Sequence, residues 1–300
     1  MTAVDGAAPR AREGSGVAAS IVRVLQRWPV HLTLLIIGLL WFLPTAALLV
    51  SSFRPSNEVL TTGWWTAFSL PFDFTLKNYQ DVLGQNRMAG SFINSLFITI
   101  PAVLIPIMIA AFAAFAFAWM DFPGRNVLFI LVVGLLVIPL QSALIPVLQI
   151  ITGVGLTGSF LAIWLAHAGF GLPFGIFLLR NFIGALPKEM MESAYIDGAS
   201  PVTAFFRLVL PLSVPAIASM AIFQFMWVWN DLLVALIILS GGGPSVQPMT
   251  VTIASLVQST GQGWHLLTAA AFISMALPLI VFFGLQRYFV RGILGGAIKG

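Results

Sequence analysis

Cysteine is absent from this chain, which excludes disulfides, thiolate metal sites and a cysteine nucleophile. Charge is nearly as scarce. Asp, Glu, Lys and Arg together make up 8% of the 300 residues, where a soluble domain carries roughly 25%, so the sequence cannot dress a globular surface. Histidine is confined to His31, His167 and His265. Each is most simply an interfacial residue at a separate helix end, and they suggest no metal site. None of Lys77, Lys188 and Lys299 follows a glycine, so the Gly-Lys-Ser/Thr of a nucleotide-binding loop is missing and ATP hydrolysis by this chain is not expected. Dense basic runs interleaved with aromatics are missing too, which removes nucleic acid as a partner. No serine, histidine and carboxylate fall into one readable constellation, so a membrane hydrolase has no support.

What remains is apolar. The chain is 59% hydrophobic with a mean hydropathy of +1.00, which marks a polytopic membrane protein. Residues 1–28 are polar, rich in small residues and carry Arg10, Arg12, Arg23 and Arg27. They read as a disordered segment followed by a short interfacial helix. The apolar run after them is too long for a signal-peptide core and becomes the first span, residues 30–52, kinked at Pro44. An extramembrane loop with the aromatic pair Trp64 and Trp65 follows, then a second span over 91–120 holding Pro101 and Pro106. Between Arg125 and Arg180 there is no charge. One helix across that interval would be about 80 Å long, against a hydrocarbon core of about 30 Å. Two spans therefore fit there, 127–151 and 159–180, divided at the glycine-rich stretch 152–158. A fifth span covers 211–239, interrupted near Asn230 and Asp231, and a sixth covers 266–286. The expected fold is an all-α integral membrane protein with six transmembrane helices, its membrane domain spanning 29–290 and a tail at 291–300.

Six helices place both ends on one side. With the termini in the cytoplasm, eleven of the lysines and arginines fall inside, leaving Arg54, Lys77 and Arg87 outside, the asymmetry that cytoplasmic loops carry. That sidedness also puts residues 182–210, between helices four and five, in the cytoplasm. There Lys188, Glu189, Glu192, Asp197 and Arg207 interrupt the apolar sequence. Pro187 suits a first helical turn, Met191, Ala194, Tyr195 and Gly198 share one face, and the helix should stop at Gly198. Ser200 before Pro201 starts a second helix with Val202, Phe205, Phe206 and Val209 on one face.

This helix, glycine turn and helix resembles the cytoplasmic coupling loop of ABC importer permeases, E-A-A, three residues, G, nine residues, I-x-L-P. Here Glu192, Ser193, Ala194, Gly198, Leu208, Leu210 and Pro211 fall in that register without a gap. Ser193 replaces the middle alanine, and Leu208 the isoleucine. Asp197-Gly198-Ala199 and Trp229-Asn230-Asp231 are most similar to the sugar-importing branch of maltose and α-glucoside type.

The resemblance implies a permease subunit in the cytoplasmic membrane of a prokaryote. Its partners would be a second permease subunit, two ATPase subunits that bind ATP and Mg, an extracytoplasmic solute-binding protein, a sugar and membrane lipid. Glu192, Ala194, Asp197, Gly198, Leu210 and Pro211 would couple to the ATPases. The tail, 294–300, resembles family tails that insert between them. Gln224, Trp227, Trp229, Asn230 and Asp231 are candidates for the solute path, since sugars are held by aromatic faces and amide or carboxylate groups; the alternative places Trp229, Asn230 and Asp231 at the outer interface. Asn94, Gln141 and Gln149 are weaker candidates. The uncharged loop 241–264, with Gly241, Gly242, Gly243 and Gln258, would receive solute from the binding protein. A non-sugar ABC permease and an ion-coupled transporter stay open as alternatives, the latter with Asp231 as its lone intramembrane acid.

Overall fold

The computed structural model describes residues 17–84, 87–256 and 262–297, by backbone alone over 17–27 and 287–297. Residues 1–16, Gln258 and residues 298–300 lie outside the described residues, and with them most of the polar N-terminal segment and the end of the tail. Every regular element among the described residues is helical. The main helices are α1 Val17–Ser52, α2 Lys77–Gly84, α3 Met88–Trp119, α4 Arg125–Gly134, α5 Leu140–Gly153, α6 Phe160–Ile183, α7 Lys188–Ile196, α8 Val214–Trp229, α9 Leu233–Ile238, α10 Met249–Ser255 and α11 Trp264–Ala297. Four helices are long and apolar enough to cross a membrane, and six spans result if each of two bent pairs counts as one. The chain is an all-α membrane protein.

One bent pair falls where a single span is expected, and the other where the loop 182–210 passes into the fifth span. The span expected over 127–151 turns through 106° between residues 125–137 and α5. Pro139 supplies no N–H and biases the residue before it away from the helical region, and Ile138 sits at φ −72° and ψ 119°. The span expected over 211–239 bends by 71° between residues 201–212 and α8, where Pro211 and Pro215 flank Ser213. It breaks again after α8, because the Asp231 carboxylate accepts the backbone N–H groups of Val234 and Ala235 at 3.2 and 2.9 Å and starts α9 afresh. In contrast, α1 runs unbroken from Val17 through Pro29 and Pro44, so among the described residues no separate interfacial helix precedes the first span.

The bundle is centred on α3 and α6, which lie side by side and run in the same direction. Near their starts the Trp164 indole donates to Phe97 O at 3.0 Å. At their ends the Trp119 indole donates to Ile183 O at 3.1 Å, satisfying a carbonyl that the end of α6 leaves open. Small side chains let the two axes approach: Ala102, Ala110 and Ala114 of α3 and Ala162 of α6 are fully buried. In lipid there is little hydrophobic drive between helices, so close packing and interhelical hydrogen bonds hold them. At Gly175 a β-carbon would lie 2.8 Å from the Met220 sulfur and 3.1 Å from Ala110 Cβ, so three helices meet on that glycine.

Prolines choose several of the remaining ties. A proline deprives the carbonyl four residues earlier of its donor, and membrane helices tolerate this only when a neighbour restores it. Pro101 frees Phe97 O, which takes the Trp164 indole. Pro106 frees Ala102 O, which takes the Gln224 amide at 3.1 Å. Pro278 of α11 frees Ser274 O, which takes the Trp229 indole at 3.1 Å.

Candidate functional site

Beside the bend at Ile138-Pro139 the helices leave a chamber of about 430 Å³. Leu135, Leu136, Ile138, Leu140 and Ala143 form one wall, Gly169, Phe170, Gly171, Pro173 and Phe174 of α6 a second, and Phe223, Gln224 and Trp227 of α8 the third. No side chain on these walls carries a charge. Gln224 is 5% exposed. Its amide nitrogen donates to Ala102 O at 3.1 Å and to His167 O at 3.3 Å. Two carbonyls can accept only from the nitrogen, so the amide orientation is fixed. The whole amide group lies against Gly171, where a β-carbon would stand 2.5 Å from its oxygen and 2.6 Å from its nitrogen, and among the described residues the oxygen is the atom left without a protein partner.

The expected solute-path residues separate. Gln224 and Trp227 line the chamber. Trp229 is 2% exposed, stacked on Phe225 at 5.6 Å and edge-on to Phe92 at 5.6 Å. It belongs neither to the chamber wall nor to an exposed interface, because its indole is taken up by the carbonyl that Pro278 frees. Asn230 is exposed, and its amide returns to Met226 O at 2.7 Å. Asp231 faces away from the chamber, with Oδ2 3.6 Å from His167 Nε2. His167 is therefore not an interfacial residue: it lies two turns into α6, 1% exposed, edge-on to the Trp227 ring at 5.0 Å and 89°. Asn94 is committed elsewhere, its amide donating to Ser245 O at 2.9 Å and Gln247 O at 3.0 Å.

Those two bonds belong to a polar seam. Ser91, Asn94 and Ser95 share one face of α3, and the Ser91 hydroxyl pairs with Thr252 at 2.6 Å while Ser95 Oγ accepts the Met249 N–H at 2.8 Å. The Thr250 hydroxyl donates to Asp231 O at 2.6 Å. Of the glycines assigned to the loop, Gly241 is exposed and Gly243 turns the chain at φ 68°. Gly242 faces inward, since a β-carbon there would run into Gly158 O.

Asp231→Ala is expected to cost about 1–2 kcal/mol, because it removes both acceptors from the first turn of α9. Asp231→Asn, retaining one, should cost less. Thermal unfolding of the purified membrane complex reads the difference; equal midpoints for Ala and wild type would count against the assignment.

At the opposite end, α7 stops at Gly198, whose φ is 82°. Ala199 N donates to Ala194 O at 2.9 Å and Gly198 N to Tyr195 O at 3.0 Å, the bond pair of a Schellman ending. Ser200 Oγ then accepts the Thr203 N–H at 3.2 Å, and Pro201 opens the next turn. Residues 205–209, whose spacing predicts plain α-helix, form a π-helical turn. Phe205 and Val209 are buried, and Phe205 stacks on Phe112 at 4.6 Å. The expected apolar faces are only partly covered. Met191 is buried, yet Tyr195 is 40%, Ile196 85%, Val202 66% and Phe206 50% exposed. Glu192, Asp197 and Pro211 are exposed, and Ala194 and Leu210 half-buried.

The family model for binding-protein-dependent transport system inner membrane components matches residues 84–295. The chain belongs to this family. Among its relatives, the osmoprotective compounds uptake permease protein GgtD of Synechocystis sp. is 59% identical, covering 91% of this chain and 93% of the relative. The alpha-glucoside transport system permease protein AglG of Rhizobium meliloti is 41% identical over 91% of this chain and 97% of its own. A crystal structure of a bacterial ABC transporter involved in import of the acidic polysaccharide alginate matches with a TM-score of 0.76 at 20% identity, over 91% of this chain and 98% of that one. At that identity the likeness speaks for the fold alone.

In this permease His167, expected at an interface, and Gly158, expected only as part of a dividing loop, are buried packing points, and Gly171 and Gly175 join them without having been singled out in the sequence. A signal for the last two was present, a glycine pair four residues apart inside an apolar helix, the spacing that lets helices close on one another.

Proposed function

We propose that this permease is one membrane subunit of an ABC importer that carries a sugar or glycoside from an extracytoplasmic binding protein across the cytoplasmic membrane. A second permease subunit completes the path. Two ATPase subunits bind ATP and Mg, and this chain binds neither. The observation that carries the reading is the coupling turn. Tyr195, Ile196, Val202 and Phe206 stand exposed on a stretch that also bears exposed Glu192 and Asp197, an apolar centre with a polar rim suited to a protein partner. Met191, Phe205 and Val209, which flank the turn, share a core cluster with Leu179 and Ile183 of α6 and Met220 of α8, and these two helices also wall the chamber, so a push on the turn can reach the solute path through them. The arginine asymmetry supports placing it in the cytoplasm with both termini. The names of the relatives, an osmoprotectant permease and an α-glucoside permease, support a glycoside as cargo.

A chain without cysteine allows a direct test. A single cysteine at Ile196 or Val202 should crosslink to the ATPase subunit in membranes, with a yield that changes when ATP is added. An actively transporting complex that gives no crosslink from either position would remove the docking assignment.

A further inference from the structure

Gln224 cannot choose how it faces the chamber. Pro106 frees the Ala102 carbonyl, that carbonyl and His167 O claim the amide nitrogen, and the buried amide is left presenting oxygen beside Gly171. Among the described residues no protein donor reaches this oxygen. Pro173 acts in the same sense on the opposite wall: it leaves the Gly169 carbonyl without its donor four residues on, and no side chain among the described residues replaces it. Gly169 is exposed on the chamber wall. The polar groups so disposed are acceptors, and the remaining surface is aromatic and aliphatic.

We infer that the chamber is a solute subsite that recognises neutral, hydroxyl-bearing molecules through O–H donation to Gln224 Oε1 and Gly169 O, and disfavours carboxylated ones. This rests on the importer reading above. A sugar hydroxyl donates to such oxygens, while its C–H faces lie against Phe170, Phe174 and Trp227, the last held edge-on by His167. A carboxylate is acceptor-only; it would meet two oxygens and no cation on the chamber walls. The acceptor array makes Gln224 a specificity-determining residue, with its orientation set by the carbonyl that Pro106 of α3 frees and by His167 O.

The test uses the whole complex of permeases and ATPases in lipid nanodiscs without its binding protein, so that selectivity cannot come from that subunit. Equilibrium dialysis compares the neutral disaccharides sucrose and trehalose with a disaccharide of the same size bearing one uronate. At least one neutral probe should be retained, with the uronate bound at least tenfold more weakly. Gln224→Met should weaken the neutral probe at least tenfold. Gly171→Ala, whose β-carbon would push the whole amide out of its place, should do the same, and Gln224→Glu, which keeps the size of the side chain, guards against a Met variant that fails to fold, thermal midpoints being recorded for all three. Equal binding of uronate and neutral probes, wild-type binding by folded Gln224→Met, or no neutral probe retained by an active complex would each overturn the subsite. ATP-dependent uptake with the binding protein present is measured in parallel. Its loss in wild type would bring down the importer reading itself, whereas intact uptake beside indifferent binding sinks the subsite alone.

Discussion

A Gly158→Val permease is expected to unfold on the order of 10 °C below wild type, or to be cleared before it reaches the membrane. Gly158 lies at φ 75°, where a β-branched residue costs about 1–2 kcal/mol or more. A β-carbon there would also run into the Gly242 nitrogen and stand 2.6 Å from the Gly241 carbonyl carbon and 2.8 Å from Gly242 Cα. These are backbone atoms and cannot swing aside. The Gly158 N–H is bonded to Ile238 O at 3.0 Å, so the loop between α5 and α6 cannot retreat without losing its anchor on α9. Forced overpacking of this kind adds about 1–3 kcal/mol. Gly155 provides the control, with φ 73° and open space for 4 Å around the place a β-carbon would occupy. Gly155→Val should carry the conformational cost alone. Equal midpoints for the two variants would mean that the contact with Gly242 contributes nothing.

Gly198→Val is expected to reduce coupled uptake at least tenfold while the protein still inserts normally. Within the chain nothing lies within 4 Å of a β-carbon there, but φ is 82°, so the penalty is conformational. Valine would undo the Schellman ending and re-aim the exposed Ile196 and Val202 against their partner. Asparagine tolerates the left-handed region, so Gly198→Asn should keep most of the uptake if backbone conformation is the whole requirement. An Asn variant as inactive as Val would show that the docked ATPase leaves no room for any side chain. Full uptake by Gly198→Val, with ATPase subunits co-purifying as in wild type, would remove the coupling role from this turn.

The helix, glycine turn and helix at 188–209 were legible because their signals are local. Pro187, Gly198, Ser200 and Pro201 each act on their own few residues, and the structure adds only the Schellman bonds and the π turn at 205–209. The chamber wall was legible in part. Gln224 and Trp227 stand out as polar or amphipathic residues in an apolar run, and so did Trp229 and Asp231, which the structure sends elsewhere. Which of them meets the chamber depends on carbonyls that prolines free on other helices, 45 to 122 residues away along the chain, and no periodicity within one helix carries that information. The same holds for Gly158, whose need for a bare backbone comes from Gly242. The bends were half legible: Pro139 was present, but hydropathy alone continues through it.

The turn at Ile138-Pro139 has a consequence for how cargo crosses. A helix that ends at Val137 leaves its last carbonyls without partners, at a depth where each would cost several kcal/mol against hydrocarbon. Leu135 O is taken by the Ile138 N–H at 3.2 Å, while Leu136 borders the chamber, so carbonyls left open at this end would be hydrated from it. In the proposed importer, loading would then be an exchange of solvent for solute and not a transfer into oil. For the proposed importer a hydrated pocket within the membrane would also impose a rule: its two mouths must never stand open together, or ions would follow the water. The work of the proposed ATPase partners would then go into moving that seal from one side of the pocket to the other.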